Sequence, residues 1–194
     1  MGDLAILRHL RESDIPGRIA ALGDSQVRRN ITNQPALVSE ASLTQFFLDI
    51  VHGKNPTRIE FVVAKPDGTV LGYTYLMGFD YLNLTCEIAM LVLPRYRFGM
   101  GYAAMLLTYE HAFGVLNMRS VLNQVYASNE MMCSVKWRAA SGAALSADSD
   151  FTEGKLRATY SWNQTREDFL RKYREPAGAA DVVPTTNKSA EKSG

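Results

Sequence analysis

The chain is poor in the residues that build metal centres and disulfide frameworks. It has two cysteines, Cys86 and Cys133, each inside an apolar segment, and three scattered histidines, His9, His52 and His111. Neither set has metal-ligand spacing, so the thiols are expected to be buried, the histidines structural and a metal absent. No apolar run approaches the roughly 20 residues of a membrane span. The start, MGDLAILRHLRESD, lacks a basic region followed by a long apolar core. Gly2 fits only the beginning of a myristoylation signal, because Ile6 stands where Ser or Thr is required. An excess of one charge is missing too. Lys and Arg number 21 against 20 Asp and Glu, for a net charge of +1. That excludes binding driven by a large field, so neither a nucleic-acid nor a membrane partner is expected. A cytoplasmic location is the expectation these absences leave.

What is present fits one folded unit. Of 194 residues, 46% are hydrophobic and 21% charged, a globular balance. One domain is expected over residues 1–175. From Pro176 the chain turns to Ala, Thr, Lys, Ser and Gly without periodicity, so 176–194 is expected to be a disordered tail.

The element signals run in order. Leu4–Leu10 reads as a strand, and Ser13, Asp14 and Pro16 suit the start of a helix. Ser42 is an N-cap candidate for a helix over Leu43–Val51, with Gly53 as its stop. Lys65-Pro66-Asp67-Gly68 is a turn between two β-rich runs, predicting a hairpin of Arg58–Ala64 with Thr69–Phe79. CEIAMLVLP is a further strand, closed by Pro94. Past the glycines, Met105, Leu106, Tyr109, Ala112, Phe113 and Leu116 form one apolar helical face. A strand at Ser120–Ala127, a helix from Asn129 to about Ala140, a strand in GKLRATYSW and a short helix in TREDFLRKY complete the order. This is an α/β chain with an antiparallel first half and a strand–loop–helix–strand unit in its middle.

The chemistry centres on LPRYRFGMGYAAMLL, Leu93–Leu107. Glycines between a strand and a helix let phosphate approach backbone N–H groups. A Walker loop is excluded, since no Gly-Lys-Ser/Thr follows. Gly99-x-Gly101-x-x-Ala104 meets the dinucleotide spacing, but the next strand lacks the acidic residue that fold requires. A third reading is a cradle for the pyrophosphate of coenzyme A. Backbone N–H groups from Gly99 to Ala103, the helix dipole and the arginines Arg95 and Arg97 would serve it. The arginines also read as plain surface residues, and the glycines as a tight turn.

These residues resemble motif A of the GNAT family of N-acetyltransferases, most nearly its RimJ/RimL-like branch. The Arg/Gln-x-x-Gly-x-Gly/Ala pattern falls on Phe98-Gly99-Met100-Gly101-Tyr102-Ala103, with Phe98 replacing the Arg or Gln. CEIAMLVLP resembles the strand that carries a glutamate, here Glu87. VYASNEMMCSVKWRAASG resembles motif B, whose asparagine is Asn129, and FTEGKLRATY resembles a closing strand. Met132 and Ala140–Ala143 depart from motif B, and Lys136 stands where some members carry a tyrosine acid.

The resemblance implies a GNAT fold: a mixed, mostly antiparallel sheet flanked by helices, with strands 4 and 5 splayed. It implies an acyltransferase that moves acetyl, or another acyl group, from acyl-CoA to a primary amine of a small molecule or protein N-terminus. Leu91, Val92 and Leu93 would hold the pantetheine arm, with an N–H near Leu91 on the thioester carbonyl. Arg97, Phe98, Gly99, Met100, Gly101, Tyr102 and Ala103 would bind the pyrophosphate, and Asn129 the arm. Glu87 is the candidate base, since an apolar strand raises a carboxyl pKa toward neutrality. Ser134 is the candidate acid. The bland alternatives are a paired strand carboxylate, a surface serine and a plain helix cap. A phosphopantetheine donor on an acyl carrier protein, a silent CoA-binding module and a homodimer also stay open.

Overall fold

A computed structural model describes residues 5–28, 30, 39–129, 133, 141–152 and 155–173, the backbone alone at 26, 28, 97–99 and 148–152. Seven strands form one sheet among the described residues: β1 (Ile6–His9), β2 (Arg58–Ala64), β3 (Val70–Asp80), β4 (Thr85–Val92), β5 (Ser120–Tyr126), β6 (Ala144–Thr152) and β7 (Lys155–Thr165). Their order is β1-β2-β3-β4-β5-β7-β6. Every pairing is antiparallel except β4 with β5. That parallel pair needs a crossover, which α4 (Arg97–Glu110) supplies.

The β2–β3 hairpin turns where the sequence predicts. The Lys65 N–H donates to Thr69 O at 2.8 Å and the Thr69 N–H to the Asp67 carboxylate at 2.9 Å. Gly68 takes φ +89°, open to glycine without strain. Helices cover both faces. On one, α1 (Ile15–Gly23) and α3 (Glu40–Val51) bury Ile15, Leu22 and Phe47 against Val62, Tyr73 and Leu91. On the other, α4 and α5 (Arg166–Tyr173) bury Tyr109 and Phe169 against Phe61, Leu76, Cys86, Ile88 and Val121. The short α2 (Ser25–Arg28) follows α1. Cys86 and Cys133 are buried free thiols, as expected.

Four local expectations are corrected. The cap of α3 is Ser39, whose side chain accepts from the Ser42 N–H at 3.1 Å; Ser42 lies inside the helix. Asp14 stands at the start of α1, but its carboxylate pairs with Arg8 at 2.6 Å and takes the Arg11 N–H at 2.9 Å instead of capping that helix. The strand β6 has no counterpart in the sequence reading. Aspartates are depleted in strands, and the ladder with β7 overrides that preference. The glycines at 99 and 101 are not a loop before the helix, because α4 begins at Arg97 and includes both. The helical face from Met105 to Leu116 packs as predicted, ending in a π-helical segment at His111–Val115.

Candidate active site

The site is built where two parallel strands part. β4 and β5 pair from Thr85↔Ser120 to Ile88↔Asn123 and no further. Beyond Ile88 the two diverge, as the resemblance implies. A cavity of about 110 Å³ fills the opening. From one face of the sheet it meets Ile88, Met90, Met105 and Asn123; from the other, Tyr75, Ala89, Leu91 and Gln124. Strand alternation assigns those faces. Ile88 and Met90 pack with the α4 core, whereas Leu91 packs with α1 and α3. The cavity is therefore a slot through the sheet, with Trp162 and Asn129 among its walls.

Backbone hydrogen bonding shows what the slot offers. The Leu93 N–H donates to Leu71 O at 3.0 Å. With pairs Tyr73↔Leu91 and Gly72↔Val92, antiparallel alternation directs the N–H and C=O of Leu91 and Leu93 to β3. Those of Met90 and Val92 point the other way, toward the gap β5 has left. Of Leu91–Leu93, only Val92 turns its backbone N–H and C=O away from β3. Gly72 makes this tight pairing fit. A Cβ there would lie 2.4 Å from Leu91 O.

At the foot of α4 the first-turn N–H groups of Arg97, Phe98 and Gly99 have no acceptor within the helix. Those of Met100–Ala103 fall within its ladder, so of the expected run Arg97–Ala103 only Arg97, Phe98 and Gly99 keep N–H groups without a partner in the helix. The Tyr96 N–H is already bonded to Leu93 O at 2.8 Å. The Met100 side chain packs into the core beside Ala5, Val63 and Leu71. Gly101 faces β4, where a Cβ would sit 3.7 Å from the Val92 side chain. Tyr102 is 45% exposed. Arg95 is exposed and stacks on Tyr96.

Glu87 is half-buried on β4, opposite Met77. Burial raises its carboxyl above the usual glutamate value. Its side chain lies on the α1/α3 face, the same side as Tyr75 and Ala89. No described salt bridge engages it. Asn129 closes a turn by accepting from the Cys133 N–H at 3.0 Å, and its own N–H donates to Tyr126 O at 2.9 Å. The remainder of its expected helix lies outside the described residues, as do Ser134, Lys136 and Trp137.

Trp162, which the sequence offers as a core or pocket-wall residue, lines the slot, and Tyr75, Met105, Asn123 and Gln124 line it without having stood out in the sequence as site residues. Asn123 carried the best signal, an amide inside an apolar strand. It accepts from the Tyr109 hydroxyl at 2.6 Å and donates to Val121 O at 3.0 Å, which fixes the last paired rung before the splay. Among the described residues no cluster of three metal-binding side chains occurs, and no helix is long and apolar enough to cross a membrane.

Residues 5–139 match the family model described as an acetyltransferase (GNAT) domain. No curated protein matches the sequence. Among solved structures, the spermidine N-acetyltransferase from Vibrio cholerae in complex with CoA and spermine superposes with a TM-score of 0.74 at 16% identity, covering 86% of this chain and 98% of that one. A chimera of that enzyme with hSSAT gives 0.72 at 15% identity, with 86% and 98% covered. Mutant forms of the Vibrio cholerae spermidine/spermine enzyme give 0.68 at 18% identity, with 87% and 98% covered.

Proposed function

The chain belongs to the GNAT acetyltransferase family, and on that premise we propose that it transfers acetyl from acetyl-CoA to a primary amine on a small molecule, with Glu87 as the base. Acetyl-CoA is consumed in this reaction and is one of its two substrates. The observation that carries the reading is the slot between β4 and β5. It runs from Met105 of α4 on one side of the sheet to Tyr75 and Ala89, on the Glu87 face, on the other. Met90 lines it, and the backbone groups of Met90 and Val92 face away from β3 along the same strand edge.

Each demand of acyl transfer has a provider here. The first-turn N–H groups of Arg97, Phe98 and Gly99 and the α4 dipole suit a pyrophosphate. Peptide groups of Met90 and Val92 complete a ladder with the amides of the pantetheine arm. One of their N–H groups faces the thioester oxygen, where a donor is worth about 3 kcal/mol as charge develops. Asn129 holds the arm from the opposite wall. Glu87, raised by burial, takes the amine's proton directly or through water, since only a neutral amine attacks.

Small-molecule amines are preferred over protein N-termini because the superposable enzymes named above are polyamine acetyltransferases. The RimJ/RimL-like assignment rests on the residues of motif A and its flanks alone. The test is mass spectrometry of products formed with acetyl-CoA, and separately with an acetylated carrier protein, over a panel of polyamines, amino acids, amino sugars and N-terminal peptides. The expected result is an acetylated small amine from acetyl-CoA. Products from the carrier protein alone, or from peptides alone, would overturn the donor or the acceptor assignment.

A further inference from the structure

On the Glu87 face, the slot is walled by uncharged groups. Tyr75, Ala89 and Gln124 line it there, and Gln124 is exposed. Asn30 joins them from the turn after α2, where its N–H donates to Val27 O at 3.0 Å. Val27 packs in the same core as Leu91, which places that turn on the α1/α3 side. Among the described lining residues there is no carboxylate. In sequence, Arg28 and Arg29 stand immediately before Asn30, and no Asp or Glu occurs between Asp24 and Glu40.

The charges behind this wall do not cancel. The Arg58 guanidinium carbon lies 3.4 Å from the Tyr75 ring centroid and that of Arg18 lies 6.0 Å from it. One carboxylate answers both arginines. Glu60 accepts from Arg58 Nε at 2.7 Å and from Arg18 Nε at 2.5 Å. Arg18 and Glu60 are fully buried, so salt screens them little. Arg18 Nη1 and Nη2 have no hydrogen-bond partner. The Tyr75 phenol senses the sum. Burial raises it above the ordinary tyrosine value; of the charges acting on it, Arg58 and Arg18, which lower it, outrank Glu60 and Glu87, which raise it. The potential at this wall is therefore positive. Glu87 faces the amine, which arrives as an ammonium, and Glu60 offsets one arginine. One positive charge is left for the rest of the acceptor to meet.

We propose that the acceptor amine carries an anionic group, a carboxylate or a phosphate, and that polyamines are poor acceptors. The inference rests on the acetyltransferase reading above and narrows its amine. The distal ammonium of a polyamine would meet the uncancelled arginine charge and find no carboxylate on the described wall. An anion at the same place is attracted by that charge, and the exposed Gln124 amide can donate to it. The arginines act through their field, with the Tyr75 ring standing between them and the slot. The polyamine acetyltransferases superpose at 15–18% identity, a likeness of fold that carries no acceptor across.

The test measures initial rates with acetyl-CoA on amines that differ only at the far end: 5-aminopentanoate, 5-aminopentyl phosphate, pentylamine and 1,5-diaminopentane. The ratio kcat/KM is expected to fall from the anions through pentylamine to the diamine, by about tenfold or more from end to end. Raising the ionic strength should narrow that spread. The faster of the two anions tells carboxylate from phosphate. Gln124→Glu supplies the carboxylate the wall lacks, at an exposed position and with little change of shape. It should bring the diamine level with the anions or above them. CoA should raise the melting temperature of variant and wild type alike, which shows that the variant folds. Pentylamine or the diamine at least as fast as both anions would overturn the proposal while the enzyme reading stands. So would an order of rates unchanged in Gln124→Glu. Should none of the four react, the small amine acetylated in the panel above decides, an anionic group on it supporting the proposal and its lack overturning it. A wild type that acetylates no small amine would overturn the small-amine reading and the proposal together.

Discussion

Glu87 pays in stability for its place in β4. Its folded pKa is raised by burial, so the folded chain binds more protons than the unfolded chain between the two values. Stability is fully present below the unfolded value and falls as pH rises through the folded one. On the role proposed for Glu87, activity runs the opposite way, since a carboxyl group accepts a proton only when deprotonated. The rate of the wild type should therefore decline on acidification at a pH above the ordinary glutamate value. Glu87→Gln should lower kcat about a hundredfold or more at neutral pH and raise the melting temperature there. Rate and thermal-melt profiles against pH check both signs, and a variant as active as wild type would remove Glu87 as base. The carboxylate was legible because an acid inside CEIAMLVLP breaks an apolar run. Tyr75 was not, because an aromatic in a strand reads as core until its neighbours are placed.

At the scale of the element, β4 serves two partners and then loses one. The hairpin turn was legible because Lys65–Gly68 encodes it locally. The end of the β4–β5 pairing was not, since the two strands are distant in sequence and no local residue marks where their ladder stops. The same holds for β6, whose polar residues pair only because β7 is beside them. Two substitutions test the strand and the helix it feeds. Gly72→Ala places a Cβ 2.4 Å from Leu91 O, so β4 must shift where Met90 and Val92 face the slot. A several-fold rise in KM for acetyl-CoA and a lower melting temperature should follow, read by initial rates and thermal shift. Gly101→Ala puts its methyl at ordinary contact, 3.7 Å from Val92. The helix should gain roughly 1 kcal/mol of propensity, and CoA affinity should change little if the cradle is Arg97–Gly99. A large loss of affinity would return the cradle to Gly101–Ala103.

The whole molecule is a sheet clamped between two apolar cores, with one buried ion cluster linking α1 to β2. Arg18 and Glu60 have no solvent contact, and Arg58 joins them. Truncating Glu60 to Leu would strand both arginines, and such losses cost about 3–5 kcal/mol. Urea unfolding should show that loss, together with reduced activity if Tyr75 moves. The α/β class could be read from the sequence because turn residues and helical and strand periodicity are local signals. The slot could not, since it exists only when β4 and β5 are paired and then part. On the proposed function, this slot carries the reacting thioester. A crystal structure with CoA tests it most directly. The pantetheine arm is expected between β4 and β5, bonded to the Met90 and Val92 backbone. An arm lying outside that gap, or bonded through Leu91 instead, would contradict it.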